Sequence, residues 1–544
     1  MKTRVAKGQL VGVSRRRLSF LALVCAMTLT LPAIASGDGR PIAFTQSGVV
    51  VGLTQGAVNE FLGIPYAAPP VGALRWRPPV PYGTFSGGVL QATQFGTRCT
   101  QPGGVGITGE NCLFLNVFTP ASDGGYGRPT ALPVMVWIPG GGLTSGSSSV
   151  YEPVRFVKKG VIVVTLNYRL GYLGFFAQSA IDAEGHLNGN YGLMDQQFAL
   201  KWVQKNIAGF GGDPAKVTVF GESAGGQSVY AQLASPLAAG LFRGAIAESG
   251  SYSEFQDYFD YIVTVAQAET VGTTAVPSGA AIADSVGCAN QEASCLRAVP
   301  AATMVAQEPS PLYPFVDGTL LTRTMEDAFA SGEFNQVPVI SGTNHNEYRV
   351  FVAEEYDFLG NPILTSAEYD AAVAALWGPT LESYVLALYP FSSFPEGGEA
   401  LGASGTDGGF SCPARNADQL LSQFVTTYAY EFNDVHAPPG QSFFQGLLTF
   451  PLGAYHGAEV QYLFAGANPF GPMPLSPEQR QLSEAMVSYW TQFAKTGIPN
   501  SAGETAWAPY STSVDQFQSF IPPIPVVESN FDTKHQCSTF WDTF

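Results

Sequence analysis

One serine, set on a glycine-framed turn between a strand and a helix, constrains this chain more than any other feature. Val217-Thr218-Val219-Phe220 reads as a short apolar strand and runs directly into Gly221-Glu222-Ser223-Ala224-Gly225-Gly226, after which a helix-like stretch continues through Leu233. A turn this tight forces its central residue into a strained backbone region, and glycine neighbours are needed because a side chain beside it would clash. The Ser223 hydroxyl is thereby held out at a helix N-terminus, where the helix dipole and the next N–H favour a developing oxyanion. With 61 glycines a bare G-x-S-x-G is cheap. Its place immediately after an apolar strand is what makes it a nucleophile elbow.

The segments around it agree on an α/β architecture. Leu132–Ile138 is a continuous apolar run that stops at Pro139-Gly140-Gly141-Gly142, and Gly160–Leu166 is another that ends at Asn167-Tyr168-Arg169. Runs apolar on both faces suit buried parallel strands. Between Tyr191 and Ile207 the apolar residues recur at helical intervals, and Gly211-Gly212-Asp213-Pro214 ends that helix. Strands alternating with helices predict a mostly parallel central sheet flanked by helices. Two less patterned regions, roughly 251–330 and 348–450, read as large insertions packed over the active site. At 544 residues several domains would fit, but these insertions favour a single catalytic domain over 36–544.

The first 35 residues have a basic start, an apolar run from Leu18 to about Leu31, and Ala33-Ile34-Ala35 as a cleavage site, which predicts a secretory signal peptide over 1–35. The run is too short to span a bilayer, which takes about 20 apolar residues, so no stable membrane span is expected in the mature chain. Ser14-Arg15-Arg16-Arg17-Leu18-Ser19-Phe20 resembles a twin-arginine signal, with the general secretory route as the other reading; either predicts a secreted or periplasmic protein. Six cysteines remain beyond Cys25, and an even number in an exported chain favours disulfides. Several connectivities are open. Sequence proximity suggests Cys99–Cys112 and Cys288–Cys295, leaving Cys412–Cys537. No C-x-x-C occurs and no histidine lies at ligand spacing from a cysteine pair, so neither metal nor cofactor is expected. The net charge is −17, and the leader holds six of the cations and no acid. A body this acidic repels phosphate backbones, which argues against nucleic-acid partners; the oligomeric state is left open.

A serine is a poor nucleophile without a base and an orienting acid. Among the five histidines, His456 stands in Gly453-Ala454-Tyr455-His456-Gly457, late in the chain, where this architecture places its base. His345 competes, but it precedes the candidate acid. That acid is Glu347, just beyond the strand Val337-Pro338-Val339-Ile340, at a strand end where α/β sheets present functional groups. On position alone, a surface carboxylate is an equal reading. The N–H groups of Gly141, Gly142 and Ala224 are the candidate oxyanion donors. Glu222 is a candidate support for the imidazolium, with a buried structural carboxylate as the equal alternative.

These residues carry a resemblance. Phe61–Ala67 with Pro69-Pro70-Val71-Gly72 and Leu74-Arg75-Trp76, Glu110–Asn116, Asn167-Tyr168-Arg169 with Leu173-Gly174-Phe175, Phe210–Pro214 leading to Gly221–Gly225, and Phe493–Asn500 together resemble the type-B carboxylesterase/cholinesterase family of α/β-hydrolases, from about Phe61 to the C-terminus. The resemblance implies a Ser–Glu–His triad on Ser223, Glu347 and His456, the three disulfides above, and an ion pair between Arg169 and Asp195. The sequence departs from the family at Pro139, where His or Tyr is usual, at Asn111 and Asn346, where Asp is usual, and at Tyr348, where Gly is usual.

The resemblance also bears on substrate. Twelve Gly-rich residues without an aromatic separate Cys99 from Cys112. Family members acting at lipid interfaces carry a long amphipathic lid here, and cholinesterases a tryptophan facing the choline cation. The expectation is an exported serine carboxylesterase for soluble, short- to medium-chain esters, working through an acyl-enzyme. The alternatives are a lipase or an esterase specialised for aromatic, polymer or toxin esters, and, outside enzymes, an inactive adhesion or binding module.

Overall fold

In a computed structural model the described residues are 39–103, 107–121, 131–251, 264–273, 276–307, 311–439, 446–464 and 473–543. The leader and its cleavage site lie outside them. Eleven strands form one sheet: β1 Leu53–Gln55, β2 Val58–Pro65, β3 Phe114–Pro120, β4 Leu132–Ile138, β5 Ile162–Leu166, β6 Gly212–Glu222, β7 Gly244–Glu248, β8 Val339–Asn344, β9 Thr427–Phe432, β10 Phe517–Phe520 and β11 Val526–Glu528. Across the sheet they run β11-β10-β9-β8-β7-β6-β4-β5-β3-β2-β1. The block from β10 to β5 is parallel throughout, and antiparallel pairs close both ends. This is the α/β-hydrolase fold.

The apolar runs explain why the sheet is covered on both sides. Strand side chains alternate between faces. In β4, Val134, Val136 and Ile138 enter one buried cluster while Met135 and Trp137 enter another. Helix α1, Tyr191–Asn206, contributes Leu193, Leu200 and Val203 to the first, and α2, Ala224–Ala234, adds Val229 and Leu233. Helix α3, Pro477–Thr496, contributes Leu482, Met486 and Trp490 to the second. Its limits are written locally: Ser476 and Gln479 make a capping box around Pro477, and Gly497 ends the helix at φ 80°.

Two strand limits differ from expectation. β8 begins at Val339 rather than Val337, because Pro338 has no N–H to give the ladder. β6 is longer than four residues and carries an irregularity between Gly212 and Val217 where it pairs with β4.

The two insertions are helical and share the two cores. Gly279–Ser285, Ala293–Ala298 and Met325–Ser331 follow β7, and Ser366–Leu388, Gly397–Thr406 and Cys412–Ser422 lie between β8 and β9. By length and composition Ser366–Ser393 could cross a membrane. It is interrupted at Gly378-Pro379, and Tyr369, Trp377 and Leu381 on it are buried in the second cluster. All three disulfides, Cys99–Cys112, Cys288–Cys295 and Cys412–Cys537, are formed.

Candidate active site

Ser223 sits between β6 and α2 with φ 58° and ψ −128°, a conformation that costs a non-glycine residue about 1–3 kcal/mol. The glycines around it are space requirements. A Cβ on Gly225 would stand 2.1 Å from Ile138 O, and one on Gly221 2.6 Å from the Gly225 carbonyl carbon. The strain is held by the backbone, since Ser223 N donates to Glu248 O at 2.9 Å. Ser223 Oγ caps no helix N–H and, among the described residues, has no hydrogen-bond partner.

The Gly140–Gly142 loop lies against this turn: a Cβ on Gly140 would come 3.0 Å from Ser223 Cβ and 2.5 Å from Glu222 O. Gly141 and Gly142 have φ 114° and 61°, and Gly141 O accepts from Thr144 N and Ser145 N at 3.1 and 2.9 Å. The Gly141 carbonyl is thus turned into the loop's own bonds, and Gly142 O accepts from Leu312 N at 2.9 Å. Among the described residues, the N–H groups of Gly141, Gly142 and Ala224 donate to no backbone or side-chain acceptor. Pro139, lacking an N–H, contributes its carbonyl, which accepts from Tyr168 Oη at 2.8 Å.

Glu347 is fully buried, and both its oxygens are assigned. Oε1 accepts from Thr343 Oγ1 at 2.8 Å and Asn344 N at 2.6 Å; Oε2 lies 2.6 Å from His456 Nδ1. Asn346 holds the two loops in register, its N donating to Ala454 O at 2.9 Å and its Oδ1 accepting from Ala454 N at 3.0 Å. Gly453 is obligatory beneath it, because a Cβ there would fall 2.2 Å from Asn346 Oδ1. An Asn in this position is therefore a brace between acid and base loops. Tyr348 packs on Gly405 and gives its N–H to Thr406 Oγ1 at 3.0 Å, while Asn111 is exposed.

The His456 side chain is 10% exposed and flanked by two rings from the second insertion, Phe351 and Phe410, each with its centroid 5.1 Å away. Nε2 is 3.3 Å from Glu222 Oε1. That contact is close enough for charge pairing, but Glu222 Oε1 makes no aligned hydrogen bond. Burial alone would lower the His456 pKa; Glu222, Glu347 and the Glu347 hydrogen bond carry it instead to about 9. Burial pushes Glu222 up to about 7 against the pull of the imidazolium. Behind it, burial raises Glu248 to about 8 and holds Glu459 well above the carboxylate range. Arg169 and Asp195 form the expected buried pair, with Nε–Oδ2 at 2.7 Å and Nη2–Oδ1 at 2.8 Å.

The structure thus gathers Ser223, Glu222, His456, Glu347 and the Gly141–Gly142 loop at the carboxyl ends of β4, β6 and β8. His345 is elsewhere, bonded to Glu431 at 2.8 Å. Sequence reasoning missed Phe351, Phe410, Glu248 and Glu459. The two phenylalanines come from a helical insertion without a pattern that ties it to His456, and the glutamates carry no local signature.

The sequence model described as Carboxylesterase family matches residues 39–537. The chain is 35% identical over 508 residues to the fumonisin B1 esterase of Sphingopyxis macrogoltabida, covering 87% of this chain and 85% of that protein. It is 33% identical to human cocaine esterase over 556 residues, 94% of this chain and 93% of that one. Among solved structures, a PNB esterase superposes with a TM-score of 0.75 at 32% identity, covering 92% of this chain and 99% of its own.

Proposed function

The chain belongs to the carboxylesterase family and is a carboxylic ester hydrolase of small-molecule esters; from that premise we propose that it is an exported serine esterase for soluble, short- to medium-chain esters, with Ser223, His456 and Glu347 as its triad. One contact supports the triad most: the 2.6 Å bond from His456 Nδ1 to the fully buried Glu347, which fixes the imidazole with Nε2 on the side of the Glu222–Ser223 turn. A base held by a buried carboxylate beside a half-buried serine whose hydroxyl has no hydrogen-bond partner among the described residues is the arrangement that acyl transfer needs.

Ser223 Oγ attacks the ester carbonyl as its proton passes to His456 Nε2. The carbonyl oxygen becomes an oxyanion bound by Gly141, Gly142 and Ala224 N–H, donors without an acceptor among the described residues. Nε2 then returns the proton to the departing alkoxide, leaving an acyl-Ser223. Water, deprotonated by the same Nε2, repeats the attack and releases the carboxylic acid. Glu347 keeps the imidazole in the tautomer that presents Nε2, and Glu222 stabilises the imidazolium formed at each attack. In apo enzymes such hydrogen bonds are often long and close only around substrate, so the Ser223–His456 bond forms on binding.

The short loop supports soluble rather than interfacial substrates. Cys99 and Cys112 are bridged, and Arg98–Cys99 pairs with Thr108–Gly109, so the two ends of the loop are tied together. Three disulfides and the 1–35 leader support export into an oxidising compartment. A second reading, a specialised ester hydrolase, draws support from the relatives named for fumonisin B1 and cocaine. Hydrolysis of p-nitrophenyl butyrate by wild type and Ser223→Ala tests the mechanism. Turnover in the first and its loss in the second is expected, and equal turnover in both would sink it. Comparing butyrate esters with emulsified long-chain triglyceride tests the substrate class; higher activity on the emulsion would make it a lipase.

A further inference from the structure

Away from the triad, the fold brings together ligand chemistry from three distant parts of the chain. His345 stands in the loop leaving β8, Glu431 lies in β9, and His535 ends the short helix Phe531–His535. Glu431 Oε1 is 2.8 Å from His345 Nδ1 and 2.8 Å from His535 Nε2. All three donor atoms lie within 4.8 Å of one another. Glu431 is fully buried and the His535 side chain 2% exposed, whereas that of His345 is 29% exposed. The cluster therefore meets solvent along the His345 side.

The groups behind these donors are also in place. His535 Nδ1 is bonded to Asp407 Oδ1 at 2.6 Å, and Asp407 Oδ2 accepts from Tyr389 Oη at 2.7 Å. Lys534 Nζ and Asn433 Nδ2 donate to Glu431 Oε2 at 2.7 and 2.8 Å. A carboxylate behind an imidazole and donors behind a carboxylate are the outer partners that orient metal ligands. Lys534 and Asn433 occupy only Oε2, so Oε1 stays aimed between the two rings.

We propose that His345, Glu431 and His535 form a binding site for a divalent transition ion of the zinc and cobalt class, with water as the remaining ligand. Two imidazoles and one carboxylate are a borderline donor set that suits these ions, whereas calcium and magnesium require oxygen-only shells. Bonds of about 2.0–2.1 Å put tetrahedral ligand atoms roughly 3.3 Å apart, so each 2.8 Å donor pair opens by about half an ångström. His345, the exposed ligand, supplies that movement for its own pair with Glu431, and a tilt of the His535 ring about its Asp407 bond supplies it for the other. As the ion binds, the proton between His535 Nε2 and Oε1 leaves to solvent while Asp407 keeps the Nδ1 proton of His535, and His345 binds through Nδ1 as the neutral ring that carries its one proton on Nε2. The ion would join the C-terminal segment to the loop carrying Glu347, two residues beyond His345.

Titration of the purified full chain with Co2+, followed by visible absorption, tests the site. One equivalent is expected to give the intense ligand-field bands of a tetrahedral nitrogen–oxygen centre, and one equivalent of Zn2+ to abolish them. His345→Gln should weaken Co2+ binding by about 100-fold or more, and His345→Asp, which restores an oxygen donor, should recover at least about tenfold of that. His186→Gln and His436→Gln should bind as wild type does. Absent bands, or bands as strong in His345→Gln as in wild type, would overturn the site and leave an ion-pair network. If His345→Gln does not fold, zinc X-ray absorption of the wild type decides: two imidazoles per ion support the site, and one or none overturns it.

Discussion

Two buried imidazoles in this molecule are built alike and sit in regions of opposite character. His456 has Nδ1 2.6 Å from Glu347 and Nε2 3.3 Å from Glu222; His535 has Nδ1 2.6 Å from Asp407 and Nε2 2.8 Å from Glu431. Each is an imidazole between two carboxylates. Around His535 every such contact is an aligned hydrogen bond, and Glu431 is held further by Lys534 and Asn433. Around His456 the second carboxylate is near but unaligned. The neighbouring serine hydroxyl lacks a partner among the described residues, and so do three backbone N–H groups. A carboxylate–imidazole pair alone does not make a catalytic centre. The groups left unbonded beside it do, because they are what a transition state can use.

The sharpest way to break this comparison is Ser223→Ala. Removing the proposed nucleophile from that corner should lower kcat for p-nitrophenyl butyrate by about 10⁴–10⁶-fold while the melting temperature holds, since Ala keeps the same backbone conformation and loses only a hydroxyl without a partner among the described residues. A fall under tenfold would mean that the corner is not catalytic.

His535→Ala probes the other corner, where the loss should fall on stability. Cutting the imidazole from this buried network leaves Asp407 with only the Tyr389 hydroxyl bonded to it and takes one of several partners from Glu431, at about 3–5 kcal/mol, read as an earlier urea midpoint. A cost below about 1 kcal/mol would show that the network does not hold the C-terminal segment. Gly141→Ala comes next. At φ 114°, with a Cβ 2.6 Å from Ser145 O, the loop must shift and misplace an oxyanion donor. That should cost roughly 10²–10³-fold in kcat with little change in KM; a rise in KM alone would assign Gly141 to ground-state binding.

The two corners were unequally legible in the sequence. Ser223 announced itself because an elbow is a local device, with strand, glycines and helix contiguous in the chain. His456 followed from its glycine frame and its late position, and Glu347 from the end of β8. The parallel sheet was readable because its central strands are apolar on both faces. Nothing local marked the second corner. His345, Glu431 and His535 are brought together by β8 and β9 pairing and by the Cys412–Cys537 bridge, and ligand spacing along the chain cannot register such an assembly. In the sequence His345 reads only as a rival base. Phe351 and Phe410 were equally hidden, since helical insertions are placed by packing rather than by motif. Asn346 looked like a departure until its pairing with Ala454 gave it a purpose.

The finest distinction between the corners concerns how much the unaligned Glu222 governs His456. Burial pulls the His456 pKa down, but Glu222 and then Glu347 raise it to about 9, and general-base catalysis needs the neutral ring. The acid limb of kcat/KM, which reports the free enzyme, should therefore lie above the ordinary imidazole value of about 6.5. Glu222, itself pushed up to about 7, is ionised across the upper part of that limb. Glu222→Gln removes the larger of the two raising charges, so the limb should move to lower pH by about one unit, equivalent to roughly 1.4 kcal/mol. The stability effect has the matching sign. Because folding raises this pKa, protonated His456 contributes stability that is complete below about 6.5 and is lost as pH rises through about 9. In Glu222→Gln that loss should be smaller and should finish at lower pH. If neither the limb nor the pH dependence of the melting temperature moves, the 3.3 Å contact is mere proximity, and Glu347 alone sets the base.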